Sequence, residues 1–405
     1  MGCLLSRFYD KSLKYRAKRR SLKSASKYKL GNDSGGDGFL STITAEKKES
    51  KDDVTRPSSS SLGQKPLPRK ISTKKDAKPE KKEYSWEKRR KLDPKDFMCM
   101  STQDEVVVKE PGKINGQQFV IDGCARCKIL VFDHCASVTI DDCEDCTIFI
   151  GPTESSIFIR NCKNCTCVFV CRQLRTRDCD GCNIKLFCST RPVIESSKNM
   201  GFGCFDCDYK GLSHQLKSGH LSKFCNYWSS IYDFTPPSGG KNWYFLEDTL
   251  QDLMKEEFKK LQQENGLESN GEDSKATFKT YGESPVDDEY HYLVLFNLQS
   301  GQEEEAESAS RALLKGVGED IKLIQVNGCR LSKDEINEMN SSNVLDDANL
   351  LPTSAEKIVG VEFSCTRSIK ATVVQAIADH MAAYDCILVG DLDLMRPFRT
   401  KGITG

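Results

Sequence analysis

Paired cysteines are the residues whose spacing most directly suggests chemistry in this sequence. The unit Cys-x-x-Cys occurs at Cys124/Cys127, Cys143/Cys146, Cys162/Cys165 and Cys179/Cys182, with a looser copy at Cys204/Cys207. Two successive pairs have the spacing of a zinc ribbon, in which four cysteines hold one ion. A zinc site needs converging pairs, whereas these recur about every 19 residues with apolar runs between them. We therefore expect metal-free ladders of buried thiols that pack as small hydrophobic side chains, with a bound metal as the alternative.

A polar row is the second candidate, in the segment Gln173-Leu174-Arg175-Thr176-Arg177. Alternate residues of a strand share a face, so Gln173, Arg175 and Arg177 should project together while Leu174 points the other way. The three side chains would form a rigid polar row. Taken in isolation, a solvated strand face explains such a row better than a binding site does.

The N-terminus carries the residues of a lipid anchor. Its sequence Met1-Gly2-Cys3-Leu4-Leu5-Ser6 predicts myristoylation of Gly2 after removal of Met1, with Cys3 placed for palmitoylation. Between Arg7 and Lys29 the segment is rich in Lys and Arg. One myristoyl chain binds membranes only marginally, so a second chain or a basic run is needed for stable attachment. We expect attachment to the anionic inner leaflet of the plasma membrane.

The paired cysteines and the polar row must be positioned by the elements of residues 84–243. Short alternating apolar runs accompany the repeats, at Ile129/Val131, Val138/Ile140, Ile148/Ile150, Ile157/Ile159, Val168/Val170 and Ile184/Leu186. This period of two places one face of each strand inward. Strands this short cannot bury a face alone, but they can stack as coils of a parallel β-helix. Helical segments at Trp86–Lys91 and Leu212–Ser230 are expected to cover its open ends.

The rest of the chain divides into three segments. Residues 1–83 are predicted to be a disordered anchor and linker, since they contain few apolar residues. Residues 244–286 are predicted to be a second linker with one amphipathic stretch, Leu250–Leu261. Residues 287–405 alternate strands and helices, which is typical of an α/β layer. The predicted order is strand His291–Asn297, helix Glu303–Lys315, strand Lys322–Val326, helix Lys333–Met339, strand Lys357–Phe363, helix Ala371–Tyr384 and strand Cys386–Val389.

Composition excludes several classes of function. Lys plus Arg and Asp plus Glu are equal at 59 each, so no net charge favours nucleic acid, and none is expected as a partner. The five histidines are scattered, which weakens a Cys/His metal site or protease. The sequence has neither a transmembrane run nor the apolar region of a secretory signal, so we expect a cytoplasmic protein with reduced cysteines.

Residues 84–243 also resemble the tubulin-folding cofactor C family. The similarity is carried by Tyr84-Ser85-Trp86, Asp93-Pro94-Lys95-Asp96, Pro111-Gly112, Gly116-Gln117-Gln118-Phe119, Val138-Thr139-Ile140-Asp141-Asp142-Cys143, Arg160-Asn161-Cys162, Ile194-Glu195-Ser196-Ser197, Phe202-Gly203-Cys204-Phe205 and Asp233-Phe234-Thr235-Pro236. The resemblance implies a right-handed parallel β-helix. It also implies stimulation of GTP hydrolysis, by a small GTPase or by tubulin, through the arginine of a Gln-x-Arg-x-His/Arg motif.

Carried over residue by residue, the resemblance gives each polar side chain a role. Arg175 becomes the arginine finger, Gln173 its support, and Glu195 a contact with the GTPase. Arg177 occupies the last position of the motif and is expected to contact the partner. Position 172 is Arg172 where a family member has glutamine, which predicts altered partner contacts there.

The expected activity is therefore that of an activator of an Arf-like small GTPase, with Arf-like protein 3 as the expected partner. GTP and Mg²⁺ would belong to that partner, and this chain would hold no cofactor of its own. The expected location is the inner face of the plasma membrane or the base of a cilium, with a role in ciliary trafficking of lipidated proteins. A membrane-tethered scaffold without catalytic effect and a tubulin-folding cofactor are the alternatives.

Residues 287–405 resemble the ferredoxin-like fold of nucleoside diphosphate kinase. Phosphohistidine chemistry in that family uses a histidine within an Asn-x-x-His-Gly sequence, and neither His291 nor His380 lies in one. We therefore expect a non-catalytic interaction domain.

Overall fold

A computed structural model describes residues 93–268, 276–297, 303–345, 350–355 and 357–389 of the 405-residue chain. The lipid-anchor residues Gly2 and Cys3, the basic run, the remainder of residues 1–83 and the predicted helix Trp86–Lys91 lie outside these ranges. No helix within the described ranges combines the length and apolar character needed to cross a membrane.

The first half of the described chain is a parallel β-solenoid of about six turns, as the repeats predict. One face consists of β1 (Met98–Met100), β3 (Phe119–Asp122), β5 (Val138–Asp141), β9 (Val193–Glu195) and β11 (Tyr232–Asp233), with the second halves of β6 (Thr147–Arg160) and β7 (Thr166–Arg177). The other consists of β2 (Val106–Lys109), β4 (Lys128–Val131), β8 (Asn183–Cys188), β10 (Met200–Cys204) and β12 (Trp243–Phe245), with the first halves of β6 and β7.

Each coil turns from one face to the other within the Cys-x-x-Cys unit. The residue before each cysteine has a positive φ, as at Asp142 (52°) and Asp145 (55°) around the pair Cys143/Cys146. Asn and Asp tolerate this left-handed conformation better than other side chains that carry a Cβ. Two such residues per coil make the sharp turn, and they explain why Asp, Asn and Gly recur beside the cysteines.

The cysteines form two inward-facing ladders, and their predicted burial is confirmed. All members of the four regular pairs have at most 2% of their surface exposed. The fifth copy is a correction: Lys198 pairs with Asp180 of the preceding coil, so Ser197 and Met200 occupy the ladder positions that were assigned to Cys204 and Cys207. The coil spacing was misassigned because serine and methionine do not match the cysteine pattern. Cys207 instead packs outside the solenoid.

The outer side of the β4–β8 face is also buried, which corrects two predictions. Val168 and Val170 point outward from the solenoid into a second apolar cluster, whereas Cys167 and Phe169 face the interior. Helix α2 (Asp248–Glu264) covers this cluster through Phe258 and Leu261. Residues 244–286, which were predicted to be a linker, therefore supply a helix that packs on the solenoid. They also contribute the last two residues of strand β12. When both faces of a strand are buried, polar and apolar residues do not alternate along it. The sequence then does not show which face points into the solenoid.

Helix α1 (Leu212–Ser218) is shorter than the predicted segment Leu212–Ser230. It ends where His220 adopts a positive φ of 52°. The amide of His220 donates to the Lys217 carbonyl and that of Leu221 to the Leu216 carbonyl. This is the Schellman arrangement, which closes a helix and reverses the chain.

The second half of the described chain is a four-stranded antiparallel sheet in the order β14-β15-β13-β16. Its elements are β13 (Tyr290–Asn297), α3 (Glu303–Val317), β14 (Lys322–Cys329), α4 (Lys333–Ser341), β15 (Ile358–Cys365), α5 (Lys370–His380) and β16 (Cys386–Val389). In this order β15 lies between the two strands that helix α3 connects, which is the split βαβ arrangement of ferredoxin-like folds. The predicted elements occur in the predicted order, and the last helix ends four residues early. The closer likeness to nucleoside diphosphate kinase stays a prediction.

The solenoid and this sheet are joined by the loop that follows α1. Phe224 is fully buried in the hydrophobic core between the sheet and helices α3 and α5. Its carbonyl accepts a hydrogen bond from Gly328 in β14. Beside it, Lys223 and Glu307 of α3 form an ion pair of 2.7 Å whose side chains are 16% and 17% exposed. The loop is therefore a shared part of both cores.

Candidate functional site

The polar row lies on strand β7 as predicted. Leu174 and Thr176 are buried, while Arg175 and Arg177 are exposed and Gln173 is half-buried. Leu174 is part of the solenoid core, so its packing fixes which way its neighbours point. Regular pairing with β6 on one side and β9 on the other holds the strand from Arg175 to Arg177. The row is therefore built on a rigid element.

Arg175 is at the centre of this surface. Its register partners are Phe158 in β6 and Val193 in β9, so its side chain rises between two apolar neighbours. Within the described part of the chain its guanidinium has no hydrogen-bond or ion-pair partner. Arg177 differs, since its Nε lies 3.5 Å from the carboxylate of Asp178. Arg175 thus presents unused donors above a fixed backbone.

Gln173 is held by the preceding coil. The hydroxyl of Ser156 donates to its side-chain oxygen at 3.0 Å. Ser156 is 8% exposed, so this bond is largely shielded from water. Because this bond holds the side-chain oxygen of Gln173 toward Ser156, the amide nitrogen of Gln173 points away from Ser156. Sequence analysis did not identify Ser156, which precedes Gln173 by 17 residues, about one coil length.

Glu195 joins the same surface from the next coil. It is exposed on β9 and is the register partner of Arg177. On the other side of Arg177, Arg160 forms a bidentate bond with Asp141 at 2.7 and 2.8 Å. Across the coils the order is Asp141, Arg160, Arg177 and Glu195, so two neighbouring positive side chains are flanked by a negative one on each side. The structure brings Gln173, Arg175, Arg177 and Glu195 onto one face.

Exposed aromatic side chains adjoin the arginines, and sequence analysis missed them. Phe158, Tyr232 and Phe234 are 38%, 44% and 64% exposed. The rings of Tyr232 and Phe234 meet edge to face at 5.5 Å, and the guanidinium of Arg191 lies 5.5 Å from the Tyr232 ring centre. Exposed apolar side chains grouped beside charged ones are typical of protein interfaces. Phe158 was detectable, since it occupies an outward position between Ile157 and Ile159.

Arg172 stands apart from this face, at the corner where β7 bends. Its Nε donates to the carbonyl of Glu154 at 2.8 Å, and its Nη2 donates to that of His220 at 3.3 Å. Both bonds are to the main chain of neighbouring segments. The predicted role of Arg172 as a partner contact stays untested.

The thiol ladders are packed with protein groups. The Sγ of Cys143 donates to the Asp141 carbonyl and that of Cys146 to the Glu144 carbonyl, each at 3.3 Å. Burial also raises the pKa of two cysteines outside the ladders, that of Cys204 to about 11 and that of Cys207 to about 12, so these two thiols are neutral at physiological pH. Across the described ranges no group of three or more His, Cys, Asp and Glu side chains could hold a metal ion.

Comparisons with known proteins cover the solenoid. Residues 116–234 match the family model described as tubulin binding cofactor C. The chain is 58% identical over 167 residues to Protein XRP2 of Danio rerio, a match covering 41% of this chain and 44% of the relative. It is 57% identical over 167 residues to Protein XRP2 of Homo sapiens (41% and 48%) and 56% identical over 182 residues to that of Mus musculus (44% and 52%).

These matches span about half the length of the curated relatives. The solved structure of tubulin binding cofactor C from Leishmania major matches 37% of this chain and 87% of its own, with 19% identity and a TM-score of 0.27. Arg175 and most of the motifs that carry the resemblance lie within the matched residues 116–234. Through its solenoid, this chain is similar to the tubulin binding cofactor C family and to the XRP2 proteins.

Proposed function

We propose that this protein stimulates GTP hydrolysis by an Arf-like small GTPase, with Arg175 as the arginine finger and Arf-like protein 3 as the partner. The observation that supports it is an exposed arginine that has no partner among the described residues, lies on a strand fixed on both sides, and has exposed aromatic neighbours. An arginine kept for structure would be expected to pair within the chain, as Arg160 does with Asp141.

The chemistry requires a guanidinium at the phosphates. As the γ-phosphoryl group leaves, negative charge spreads over its oxygens, and a planar guanidinium can bond several of them at once. Such a residue contributes about 10³ to 10⁵ in rate, or roughly 4 to 7 kcal/mol. Phe158 and Val193 on either side of Arg175 would exclude water from the joint site, which strengthens that interaction. A strand with fixed register needs little reorganisation to present it.

The other row residues have supporting roles in this proposal. Gln173, oriented by Ser156, would direct its amide nitrogen toward Arg175 or the nucleotide. Glu195 and Arg177 would pair with charges of the GTPase and set its orientation. GTP and Mg²⁺ would be held by the partner, and this chain would supply no cofactor of its own.

The proposed location is the cytoplasmic face of the plasma membrane or the base of a cilium. Acylation at Gly2 and Cys3, with the basic run as an additional electrostatic anchor, would hold the activator where lipidated proteins are delivered. A role in their trafficking to the cilium is part of this proposal.

Tubulin is the second candidate substrate, and the name of the matched family favours it. The same arginine would then act on tubulin's GTP. A membrane-tethered scaffold is the third hypothesis, in which the row binds a partner without accelerating hydrolysis.

Single-turnover GTP hydrolysis distinguishes the three. The full chain is added to a panel of Arf-like GTPases and, separately, to tubulin. We expect stimulation of one Arf-like GTPase, loss of nearly all of it in Arg175→Ala with the affinity largely kept, and no rescue by Arg175→Lys, because an ammonium cannot reproduce the guanidinium fork. Glu195→Ala should raise KM for the GTPase. Full stimulation by Arg175→Ala would refute the proposal, and stimulation of tubulin alone would support the second candidate.

A further inference from the structure

Arg172 links its own strand to three neighbouring segments at the corner of β7. Its side chain donates to Glu154 in the preceding coil and to His220 after helix α1. Its own carbonyl accepts from the hydroxyl of Thr190, in the following coil, at 3.0 Å. This one residue therefore bonds the coil before it, the coil after it and the loop that covers the solenoid.

The corner is where the ladder is least regular. Pairing between β6 and β7 shifts register twice between Ile150 and Ser156, which leaves the main chain without a continuous set of ladder bonds there. The polar row begins with Gln173, immediately after this irregularity. Side-chain bonds must therefore fix the direction in which the chain enters the polar row.

We infer that Arg172 is a positioning residue for Arg175 and Gln173 and that it does not act as a contact for the partner. This inference rests on the proposed function. Arg172 bonds to two carbonyls that belong to neighbouring segments, and its backbone is continuous with the row. Loss of these bonds would let the corner move, and misplacement of a catalytic group by about 1 Å can cost about 100-fold in rate.

His220 lies two residues before side chains that contact the α/β domain. The two hydrogen bonds that close α1 hold its main chain in the left-handed conformation. Two residues on, Ser222 donates to Glu303 of helix α3 at 2.9 Å, and Lys223 pairs with Glu307. The carbonyl that receives Arg172 is thus anchored to a helix of the second domain. This gives helix α3 a mechanical role at the site without requiring it to touch the nucleotide.

The test compares Arg172→Ala and Arg172→Lys in the full chain with Arg126→Ala as a matched control. Arg126 is also exposed on the solenoid and has a bidentate bond to Asp104, yet it lies on a different corner. In single-turnover assays over a range of GTPase concentrations, Arg172→Ala should lower the maximal rate by about 10-fold to 100-fold with an unchanged half-saturating concentration. Arg172→Lys, which can bond one carbonyl, should be intermediate, and Arg126→Ala should match the unaltered protein.

Hydrogen–deuterium exchange gives a second measurement that needs no GTPase. Amides of residues 172–177 should exchange faster in Arg172→Ala, while those of Thr166–Cys171 should not change. A raised half-saturating concentration at an unchanged maximal rate would identify Arg172 as a partner contact and overturn the inference, as would unaltered exchange at residues 172–177. If the unaltered protein stimulates no GTPase, the proposed function fails, and faster local exchange would still support the positioning role.

Discussion

Arginines on the solenoid surface differ chiefly in what occupies their donors. Arg126 and Arg160 are each bound to a carboxylate of a neighbouring coil, and Arg172 is bound to carbonyls. Arg175 has neither kind of partner in the described chain. A guanidinium that is not neutralised internally keeps its full charge and all five donors for an external anion. This difference, more than the motif itself, singles out Arg175.

Removal of the Ser156 hydroxyl should test how Gln173 is oriented. In Ser156→Ala the side-chain oxygen of Gln173 loses its donor, and the amide becomes free to rotate. We expect the stimulated hydrolysis rate to fall, but by less than in Gln173→Ala, because the amide is still present. The double variant should equal Gln173→Ala alone, since the hydroxyl acts only through the glutamine. A double variant much slower than Gln173→Ala would give Ser156 a role of its own.

At this scale the sequence predicted the row but not its surroundings. Strand periodicity placed Gln173, Arg175 and Arg177 together, and the structure agrees. Ser156 and Phe158 lie one coil earlier than the row. Which residues of the row they face depends on the pairing offset between β6 and β7, and this offset becomes shorter within that coil. Tyr232 and Phe234 come from the final coil, beyond a long connection. Period alone cannot predict such neighbours, because the pairing offset is set by three-dimensional stacking.

The cysteine ladders show how an element tolerates replacement of its members. Ser197 fills a ladder position, and its hydroxyl donates to the Glu195 carbonyl at 2.9 Å, as Cys143 does to that of Asp141. Cys143→Ser should therefore fold and lose only about 1 kcal/mol, since its hydroxyl can keep the bond but fills less space. Chemical denaturation measures this loss, with Ser197→Cys as the control that should not destabilise.

Metal analysis of the same samples separates packing from zinc binding. We expect less than one zinc per chain and a melting temperature that a chelator does not change. Stoichiometric zinc that is lost in Cys143→Ser would contradict the packed-thiol interpretation.

A buried ion pair joins strand β8 to the segment after β10, and a hydrogen bond from the same ammonium reaches helix α2. The ammonium of Lys185, which is fully buried, pairs with Asp206 and donates to the Gln251 carbonyl at 3.1 Å. Asp206→Asn should lower the free energy of unfolding by roughly 3–5 kcal/mol, because it leaves a buried ammonium without its counter-charge. Replacement of both, as Lys185→Met with Asp206→Leu, should cost much less. Equal losses in denaturant titrations of the single and double variants would show that the pair itself does not explain the effect.

Element types were predictable where one face alone is buried, and ambiguous where both are. On the β3–β5 face, Val138 and Ile140 lie in the core while Thr139 between them is only partly buried, so their predicted orientation is correct. On the opposite face, helix α2 covers the outer side of the strands, so apolar residues occur on both sides. Val168 and Val170 were therefore assigned to the wrong side. The helix itself was visible as an amphipathic stretch. Its docking partner was not, because periodicity identifies an apolar face without identifying what covers it.

For the whole molecule, Phe224 should decide whether the two halves unfold together. It belongs to the loop after α1 but is buried in the core of the antiparallel sheet. Phe224→Ala should cost about 3–5 kcal/mol at that core. We expect calorimetry to show two separated transitions where the unaltered chain shows a coupled one. Leu253→Ala, at a residue 68% exposed on α2, is the control and should leave the transition unchanged.

Attachment to membranes is expected to need the acyl chains and the basic run together. Gly2→Ala should release the protein to the cytosol, and Cys3→Ser should leave weak binding that salt disrupts. Neutralising Arg16, Arg19 and Arg20 should weaken binding to anionic vesicles by about 1 kcal/mol per charge. Cell fractionation and vesicle sedimentation measure these effects. Stable membrane retention of the Gly2→Ala protein would contradict the anchor.

The coil becomes shorter by two residues at the corner of β7, and this has an evolutionary consequence. The offset between stacked residues is 19 at Cys127 and Cys146 but 17 at Ser156 and Gln173, and the change is absorbed entirely between Ile150 and Ser156. A two-residue change in coil length is therefore accommodated on this side, whereas one within a Cys-x-x-Cys turn would displace both ladders. The polar row begins where length is free to vary. A change in length at this corner can therefore alter the outer surface of the solenoid beside the row, while the register that holds Arg175 between Phe158 and Val193 stays the same.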